Sequence, residues 1–379
     1  MNNRIKIVAD DKIPFLKGVL EPFADVIYLP PKEISRETVK DADALLVRTR
    51  TKCNADLLEN LSVKFIATAT IGFDHIDGAY CDANKIRWMS APGCNSSSVQ
   101  QYIASALVTI AANKKFKLSD KTIGIVGVGN VGSKVEKLAS ALGMKVLLND
   151  PPRARKEGGE KFVSLDELIE KSDIITFHVP LNKAGVDKTF HLADEKFFEK
   201  FNKSKIMINS SRGEVVETNA LKLAVKDGSV SDLVLDVWEN EPNIDSELLE
   251  LTDIATSHIA GYSADGKANG TAICVNALSE YFNLGLEKNW YPKEIPNPVN
   301  SSIIEMDCLG KTEDEIFSSA ILSTYNIIED DKRLRSSAHT FEKQRGDYPV
   351  RREFPYYSLK LSNCEKAIQE KLYQIKFRK

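Results

Sequence analysis

Short apolar runs alternate with amphipathic stretches along the first ninety residues of the chain. Residues 5–9, 44–47 and 64–68 are apolar runs of strand length, and a helical spacing of apolar positions begins near Ile13. Polar helical stretches separate the later runs. Strands that alternate with helices in this way predict a parallel sheet covered by helices.

A long helical pattern begins near Ser98 and ends at the charged segment 113–121. Its apolar positions recur at helical spacing, which buries one face of the helix. We expect this helix to bridge two domains. The positions that form the apolar face are Tyr102, Ile103, Ala106, Leu107 and Ile110.

A second series of strands and helices follows the long helix. A buried strand at 122–128 precedes a helix at 130–142, which Gly143 closes as a C-cap. The same rhythm predicts one doubly wound domain over 96–259, and a segment rich in Pro and Asn at 289–300 predicts a linker. The further strands predicted in this domain are 145–149, 173–177, 205–209, 233–236 and 254–257.

Composition narrows the class of protein. The chain has 379 residues, of which 42% are apolar and 28% charged, and its formal net charge is -3. It therefore has enough apolar residues for a buried core and no basic excess for nucleic acid or an anionic membrane. No apolar run approaches the ~20 residues that span a bilayer, and the N-terminus lacks the apolar stretch of a signal peptide. The six cysteines are scattered, so we expect reduced thiols, no metal site and a cytoplasmic protein.

The first motif with a chemical meaning is G-x-G-x-x-G at Gly127, Gly129 and Gly132. It lies between a predicted strand and a predicted helix, where such glycines let the backbone approach a pyrophosphate at a helix N-terminus. Asp150 lies 18 residues beyond Gly132, at the end of the next strand. A carboxylate there accepts hydrogen bonds from ribose hydroxyls and repels a ribose phosphate, so the motif predicts NAD rather than NADP.

Three ionisable residues follow predicted strand ends in the same domain, namely Arg212, Glu241 and His258. Ligands of open parallel sheets bind beyond the carboxyl ends of the strands, so we expect all three at the cofactor. An arginine fork binds a carboxylate, a histidine removes a hydroxyl proton, and a second carboxylate orients the histidine. Together they predict the oxidation of an alcohol next to a carboxylate.

On these motifs the chain resembles the D-isomer-specific 2-hydroxyacid dehydrogenases. The matching stretches are 124–132, 209–213, 236–242 and 257–261. The resemblance implies two Rossmann-like, doubly wound parallel-sheet domains of an α/β protein, plus a small C-terminal α+β dimerisation domain. The domains implied are a substrate domain at 1–95 with a returning segment at 260–290, an NAD-binding domain at 96–259 and a dimerisation domain at 291–379.

The resemblance also implies a role for each matching residue, including catalysis by Arg212, Glu241 and His258. The substrate is expected to be a small phosphorylated 2-hydroxy acid that contacts Thr49, Thr70 and Tyr262, and the protein is expected to be a homodimer. The residues expected to contact NAD are Gly127, Gly129, Asn130, Val131, Gly132, Asp150, Val179, Ser211, Asp236 and Gly261.

A substrate phosphate requires cationic donors. Arg48 directly follows the apolar run 44–47 and precedes Thr49, so we predict that Arg48 binds the phosphate. Further candidates for binding the phosphate lie in the C-terminal segment, from which they could also reach the substrate of a partner subunit. These are Arg345, Arg351 and Arg352.

Two features of the chain leave alternatives open. The segment from Gly72 to Asp77 contains His75 between two aspartates, which we interpret as a helix-start turn capped by Asp74 rather than a metal site. His178 is expected to line the cofactor site without catalytic function.

The function itself has two alternatives: another D-2-hydroxyacid dehydrogenase, such as a 3-phosphoglycerate dehydrogenase, or a non-catalytic NAD-binding protein of the same fold.

Overall fold

The structure, a computed structural model, describes residues 4–379. These divide into two compact units: a first unit of residues 4–95 with 263–296, and a second unit of 96–262 with 297–379. The strands are β1 (Lys6–Asp10), β2 (Asp25–Leu29), β3 (Ala44–Val47), β4 (Phe65–Thr68), β5 (Arg87–Met89), β6 (Thr122–Val126), β7 (Lys145–Asn149), β8 (Ile174–Phe177), β9 (Lys205–Asn209), β10 (Val230–Leu235), β11 (Ile254–Ala255), β12 (Ile303–Asp307) and β13 (Ser358–Ser362).

The α-helices range from short turns to two long helices of 19 residues each. They are α1 (Arg36–Val39), α2 (Ala55–Leu58), α3 (Gly78–Ala83), α4 (Ser96–Lys114), α5 (Gly132–Ala141), α6 (Pro151–Glu157), α7 (Leu165–Lys171), α8 (Glu195–Glu199), α9 (Thr218–Lys226), α10 (Ser246–Leu251), α11 (Ala264–Phe282), α12 (Glu313–Thr324), α13 (Ile327–Ser336), α14 (Phe341–Gly346) and α15 (Lys366–Gln374). None of the helices within residues 4–379 is long and apolar enough to cross a membrane.

The first unit contains a five-stranded parallel sheet in the order β2-β1-β3-β4-β5. Every residue of β3 and β4 is buried, because apolar side chains cover both faces of the sheet. One of these layers includes Cys274, Val275 and Leu278 of α11, which returns to this unit late in the chain. Central strands covered on both faces read as continuous apolar runs, which is why the sequence predicts them well.

The prediction of a helix beginning near Ile13 is wrong. Residues 11–24 form a series of turns, in which Phe15 and Gly18 have positive φ angles of 62° and 86°. Ile13, Leu16 and Leu20 are nevertheless buried. Their spacing of three and four therefore comes from a turn-rich loop that inserts apolar side chains into the core, and an αR helix is interrupted wherever φ becomes positive.

The second unit contains a six-stranded parallel sheet in the order β11-β10-β9-β8-β6-β7. Within this sheet β6 is the first strand in chain order. The next strand, β7, lies on one side of β6, and β8 lies on its other side. The strand order therefore reverses between β6 and β8, the position where open α/β sheets bind their ligands. These strands agree with the predicted runs except for one to three residues at their ends, and α5 begins at Gly132 rather than at residue 130.

The long helix α4 is buried on more than the one apolar face that its spacing predicts. Gln101 and Ser105 are both fully buried. The Gln101 amide donates to the Thr324 hydroxyl at 3.0 Å, and the Ser105 hydroxyl donates to the carbonyl oxygen of Tyr325 at 3.0 Å. The polar face of α4 is thus covered by α12 and the turn that follows it, because both polar side chains find hydrogen-bond partners there.

The C-terminal segment 297–379 shares its hydrophobic core with the six-stranded sheet. Phe317, Ile321 and Tyr325 belong to the same buried cluster as Tyr102 of α4 and Ile123 of β6. The segment from residue 297 onward packs into the second unit. A separate domain at 291–379 stays a prediction. The parallel pair β12 and β13 is the small sheet of this segment.

Candidate active site

A histidine–carboxylate pair lies beyond the carboxyl ends of β10 and β11. Nδ1 of His258 is 2.7 Å from Oε2 of Glu241, and the other carboxylate oxygen, Oε1, accepts the backbone N–H of Trp238 at 3.0 Å. Glu241 is thus held at both oxygens. A histidine that donates Nδ1–H to a carboxylate carries its lone pair on Nε2 when it is neutral. The pair therefore presents a correctly oriented base.

The carboxylate of Glu241 stays ionised in this setting. Burial by itself opposes ionisation, but the nearby His258 ring, the Trp238 N–H and the charge of Arg345 outweigh it and lower the pKa of Glu241. A carboxylate that stays charged stabilises an imidazolium as it forms. The pair can therefore store the proton taken from a substrate hydroxyl.

The backbone of His258 lies in the left-handed region, with a φ angle of 56°. This conformation is costly for a residue with a Cβ and persists only where the surroundings impose it. Here the His258 N–H donates to the carbonyl oxygen of Asp236 at 2.7 Å, and the Asp236 carboxylate accepts the N–H groups of Ile259 at 2.7 Å and Ala260 at 2.9 Å. Asp236 therefore fixes the loop that carries the histidine.

Asp236 is itself almost completely buried, at 1% exposure. One of its carboxylate oxygens also accepts the hydroxyl of Thr256 at 2.7 Å, and burial raises the pKa of the carboxyl group. Its oxygens are thus engaged within the protein. In the structure the Asp236 carboxylate anchors the loop of His258. A direct contact between Asp236 and NAD stays a prediction.

Arg351, a buried arginine of the C-terminal segment, donates hydrogen bonds to two carbonyl oxygens of the same loop. Nη2 of Arg351 is 3.2 Å from the carbonyl oxygen of Ile259 and 2.5 Å from that of Ala260, and its guanidinium lies 4.4 Å from the ring centroid of Tyr325. The sequence indicated Arg351 only as a candidate for the phosphate. Its structural partners lie about ninety residues earlier in the chain, and no local motif announces them.

Arg212 shares a cavity with the histidine and the glutamate. It follows β9, where the Asn209 side chain donates to the Arg212 carbonyl oxygen at 2.9 Å and accepts the Ser211 hydroxyl at 2.8 Å. The cavity has a volume of about 270 Å³ and thus the size for a small organic acid. Its lining residues are Arg212, Gly213, Glu214, Trp238, Asn240, Glu241 and His258.

The glycine motif forms the turn between β6 and α5. Gly127 has a φ angle of 87°, and a Cβ at this position would lie 2.6 Å from the carbonyl oxygen of His178, which follows β8. A Cβ on Gly132 would lie 2.0 Å from the Gly127 carbonyl oxygen. By contrast, a Cβ on Gly129 would meet nothing within 4 Å, and Asn130 is also exposed. The loop therefore packs closely against the protein at Gly127 and Gly132, while Gly129 and Asn130 leave space for a ligand.

Three other predicted cofactor residues lie around this turn. Asp150 follows β7 and accepts the backbone N–H groups of Val128 at 2.8 Å and Arg153 at 3.0 Å, so it caps α6 and supports the glycine loop. The side chain of Val179 lies close to the glycine turn, because a Cβ added to Gly127 would lie 2.8 Å from its Cγ1 atom. Val131 is the residue before α5 and is partly buried. The arrangement is that of a dinucleotide site and its residues fit NAD.

The remaining predicted substrate residues belong to both units. In the first unit, Arg48 and Thr49 follow β3 and Thr70 follows β4, so they lie at the same edge of the five-stranded sheet. Nη1 of Arg48 is 3.3 Å from the Lys12 carbonyl oxygen, and the Thr70 hydroxyl donates to the Gly72 carbonyl oxygen at 2.9 Å.

In the second unit, Gly261 and Tyr262 follow directly on the loop of His258 and are partly exposed. The Tyr262 ring lies against that of Tyr348, with their centroids 5.9 Å apart. Sequence position alone places Gly261 and Tyr262 near the catalytic loop, and the structure adds the C-terminal segment as their neighbour.

Two histidines outside the predicted catalytic set also have defined partners, and His75 is the first. Asp77, and not Asp74, caps α3 by accepting the Tyr80 N–H at 2.9 Å, while Nε2 of His75 lies 3.0 Å from the Thr68 hydroxyl. The capping prediction for Asp74 is therefore wrong, because the helix begins one turn later than the motif indicates. No cluster of three or more metal-ligating side chains occurs in the described range 4–379.

His178 is the second, and it lies at the glycine turn beside β8. Its Nε2 is 3.0 Å from the Thr176 hydroxyl, and burial lowers the pKa of His178 to about 3. The imidazole is therefore neutral at any pH of interest and does not exchange protons there.

Known families match both halves of the second unit. The D-isomer specific 2-hydroxyacid dehydrogenase, NAD binding domain family matches residues 98–260. A domain of unknown function (DUF3410) matches residues 299–375. Among solved structures, D-lactate dehydrogenase from Aquifex aeolicus complexed with NAD and lactic acid has a TM-score of 0.62 and 28% identity, covering 77% of this chain and 100% of the other.

The fold and the site define an NAD-dependent dehydrogenase, and the chain belongs to the D-isomer-specific 2-hydroxyacid dehydrogenase family. Within it, the erythronate-4-phosphate dehydrogenase of Bacteroides thetaiotaomicron is 53% identical, covering 94% of this chain and 99% of the relative. The erythronate-4-phosphate dehydrogenase of Porphyromonas gingivalis is 44% identical, covering 96% and 97%.

Proposed function

We propose that the protein oxidises 4-phospho-D-erythronate to (R)-3-hydroxy-2-oxo-4-phosphooxybutanoate with NAD, as a step in pyridoxal 5'-phosphate biosynthesis in the cytoplasm. The observation that carries the reaction type is the 2.7 Å contact between His258 and Glu241 in a cavity shared with Arg212. The names of the relatives, which align over nearly their whole length, support this substrate.

In the proposed mechanism Arg212 binds the substrate carboxylate through its guanidinium fork, which fixes the neighbouring carbinol carbon. Nε2 of His258 accepts the proton of the hydroxyl on that carbon as the C–O double bond forms. Glu241 holds the ring and stabilises the imidazolium. NAD, when bound, supplies the acceptor for the hydride that leaves the carbinol carbon. The proton then leaves His258 to solvent.

The proposed cofactor contacts follow from the open turn at Gly129. Backbone N–H groups of Gly129, Asn130 and Val131 would hold the pyrophosphate at the start of α5, and Asp150 would accept the ribose hydroxyls. The further proposed contacts to NAD are those of Val179, Ser211, Asp236 and Gly261. On the substrate side we propose contacts from Thr49, Thr70 and Tyr262, with Arg48 as a ligand of the phosphate.

Two other functions remain to be separated from this one by experiment. A dehydrogenase for a different D-2-hydroxy acid, such as 3-phosphoglycerate, would use the same residues. A non-catalytic NAD-binding protein would use the cofactor site alone. Measuring NADH formation with 4-phospho-D-erythronate, 3-phospho-D-glycerate, D-lactate and D-erythronate distinguishes them, and we expect the highest kcat/KM with 4-phospho-D-erythronate. Absence of turnover with every acid would support the binding protein.

We also propose that the protein is a homodimer that associates through the segment 291–379. In this segment Ile303 of β12 is 42% exposed and Leu309 is 75% exposed. Ile303 lies on an edge strand and Leu309 in the turn that follows it, and exposed apolar residues at such positions favour association with a second copy. Sedimentation of the wild type, Ile303→Asp and Leu309→Asp tests this, with Val186→Asp as the control because Val186 is also exposed but lies outside the segment. A monomeric wild type at micromolar concentration contradicts the proposal.

A further inference from the structure

The cavity beside His258 has one arginine, and the proposed mechanism uses it. Its other charged lining residues are Glu214, Glu241 and His258. The proposed substrate carries a second anionic group, a phosphate two carbons beyond the reacting carbon. An unpaired dianion in a cleft is costly, so a further cation has to meet it. The cavity lining alone does not supply that cation.

Arg345 of α14 places a guanidinium from the C-terminal segment beside Tyr262, a proposed substrate contact. Its guanidinium carbon lies 5.7 Å from the ring centroid of Tyr262, the residue that follows the catalytic loop. Its side chain is only 22% exposed. A guanidinium at this distance from an aromatic ring is held by cation–π attraction while its N–H groups remain directed elsewhere. Arg345 therefore has a defined position beside Tyr262.

The charges around Arg345 place it in the same electrostatic environment as the catalytic pair. Burial opposes its charge, but the nearby Tyr262, Glu241 and Asp236 raise the pKa of Arg345 above its usual value. In the reverse direction, the charge of Arg345 contributes to the low pKa of Glu241. Arg345 thus keeps a full positive charge, and Glu241 is one of the groups that stabilise it.

Arg345 differs from the other arginines of its segment in how its donors are used. Arg333 and Arg335 each pair with a buried aspartate, and Arg351 donates to two carbonyl oxygens of the catalytic loop. The contact of Arg345 with Glu342 is longer, at 3.3 Å from Nη1 to Oε1, and involves a side chain that is 43% exposed.

The Nε–H of Arg345 is also buried, with no hydrogen-bond partner in the described structure. A buried donor without a partner is uncommon and calls for a ligand. Arg351 has buried donors of the same kind, at Nε and Nη1, but its guanidinium is already fixed by the two carbonyl oxygens of the loop. Arg345 therefore combines a full charge with a donor that no described group of the protein uses.

We propose that Arg345, set beside Tyr262, is a ligand of the distal phosphate and distinguishes phosphorylated from unphosphorylated 2-hydroxy acids. The inference rests on the proposed function and deepens it. It assigns a substrate contact to the C-terminal segment, which also supplies the proposed dimer contacts.

The test compares two substrates in two variants. For Arg345→Gln we expect KM for 4-phospho-D-erythronate to rise about tenfold or more, the effect of one lost charge-assisted hydrogen bond. KM for D-erythronate should change less than about twofold, since that substrate has no phosphate. Arg345→Lys should recover part of the loss because it keeps the charge. Inorganic phosphate, as a competitive inhibitor, should lose affinity in Arg345→Gln by a similar factor.

Arg333→Gln is the matched control. Arg333 also lies 5.7 Å from a tyrosine ring, that of Tyr348, and also pairs with an acidic residue three positions away. It should leave both KM values within about twofold, as expected for a change outside the substrate contacts. Equal KM changes for both substrates in Arg345→Gln, or none, would overturn the phosphate subsite. A wild type that does not oxidise 4-phospho-D-erythronate at all would instead overturn the proposed function on which the subsite rests.

Discussion

The guanidinium of Arg351 donates a hydrogen bond to the carbonyl oxygen of Ala260 at 2.5 Å. Asp236 accepts the N–H of the same residue at 2.9 Å. The N–H and the carbonyl oxygen of Ala260 are therefore both held, and the two groups that hold them come from distant parts of the chain. Together they clamp the loop that carries His258. Because His258 adopts a left-handed backbone, the clamp maintains a conformation that the loop would not adopt alone.

The first prediction concerns Arg351 as a positioning residue. Arg351→Met removes the donors and leaves the carbonyl oxygens of Ile259 and Ala260 buried without them, so we expect kcat to fall about tenfold or more. The dissociation constant of NAD should stay within about twofold, because the glycine turn is not involved. Arg351→Lys should recover part of kcat, since one donor remains.

Arg352→Met serves as the control for this experiment. Arg352 is the next residue and lies over the ring of Tyr356, at 4.2 Å from its centroid, and its Nη1 is 3.4 Å from the side-chain oxygen of Asn297. Neither Tyr356 nor Asn297 belongs to the loop of His258, so we expect nearly wild-type kcat. Thermal unfolding of each variant shows whether it is folded. A folded Arg351→Met with unchanged kcat would contradict the positioning role.

The second prediction concerns His258 as the base. His258→Gln should lower kcat at least ~100-fold, the usual effect of a general base, while NAD binding measured by fluorescence titration persists. The chain provides an unusually close control, because Nε2 of His191 also lies 2.7 Å from a glutamate, Glu239. His191 does not line the cavity. Near-wild-type turnover in His258→Gln, or an equal loss in His191→Gln, would remove His258 from the mechanism.

The third prediction concerns cofactor choice. Asp150→Asn removes the charge and keeps one side-chain oxygen, which can accept only one of the two N–H groups of Val128 and Arg153. We expect KM for NAD to rise about tenfold and the preference for NAD over NADP to narrow. Asp194→Asn is the control, since Asp194 caps α8 in the same way by accepting the Phe197 N–H. A wild type that prefers NADP would refute the assignment of Asp150.

The sequence predicts the parts of this site that are local in the chain. The glycine turn, Asp150 and the strand ends before Arg212 and His258 follow from short motifs and from the rule that parallel strands present their carboxyl ends to ligands. The Glu241–His258 pair follows from the same rule, because β10 and β11 are neighbours in the sheet.

Contacts that join distant segments are not predictable in this way. Arg351 and Arg345 reach the catalytic loop only through tertiary packing, and the polar face of α4 is buried because α12 covers it. The loop from residue 11 to 24 has the apolar spacing of a helix but the backbone of a turn. Spacing reports which side chains are buried, and positive φ angles at particular residues decide the local structure.

The last prediction concerns pH. Since the pKa of Glu241 lies below its ordinary value of 4.5, the carboxylate is charged at neutral and mildly acidic pH. That charge holds the His258 ring through Nδ1 and stabilises the imidazolium that forms as the ring takes the proton. Glu241→Gln should therefore reduce kcat at pH 7, while Glu241→Asp, which keeps the charge, should reduce it less.

The same carboxylate also has a predictable effect on stability. A group whose pKa is depressed in the folded state stabilises it above the ordinary pKa, and this contribution is lost as pH falls through the folded pKa. The free energy of unfolding should therefore be higher in the wild type than in Glu241→Gln at pH 7, and the difference should shrink below pH 4.5. Denaturant unfolding at both pH values measures it. An unchanged kcat in Glu241→Gln, together with a stability difference independent of pH, would show that the charge of Glu241 does not act on His258.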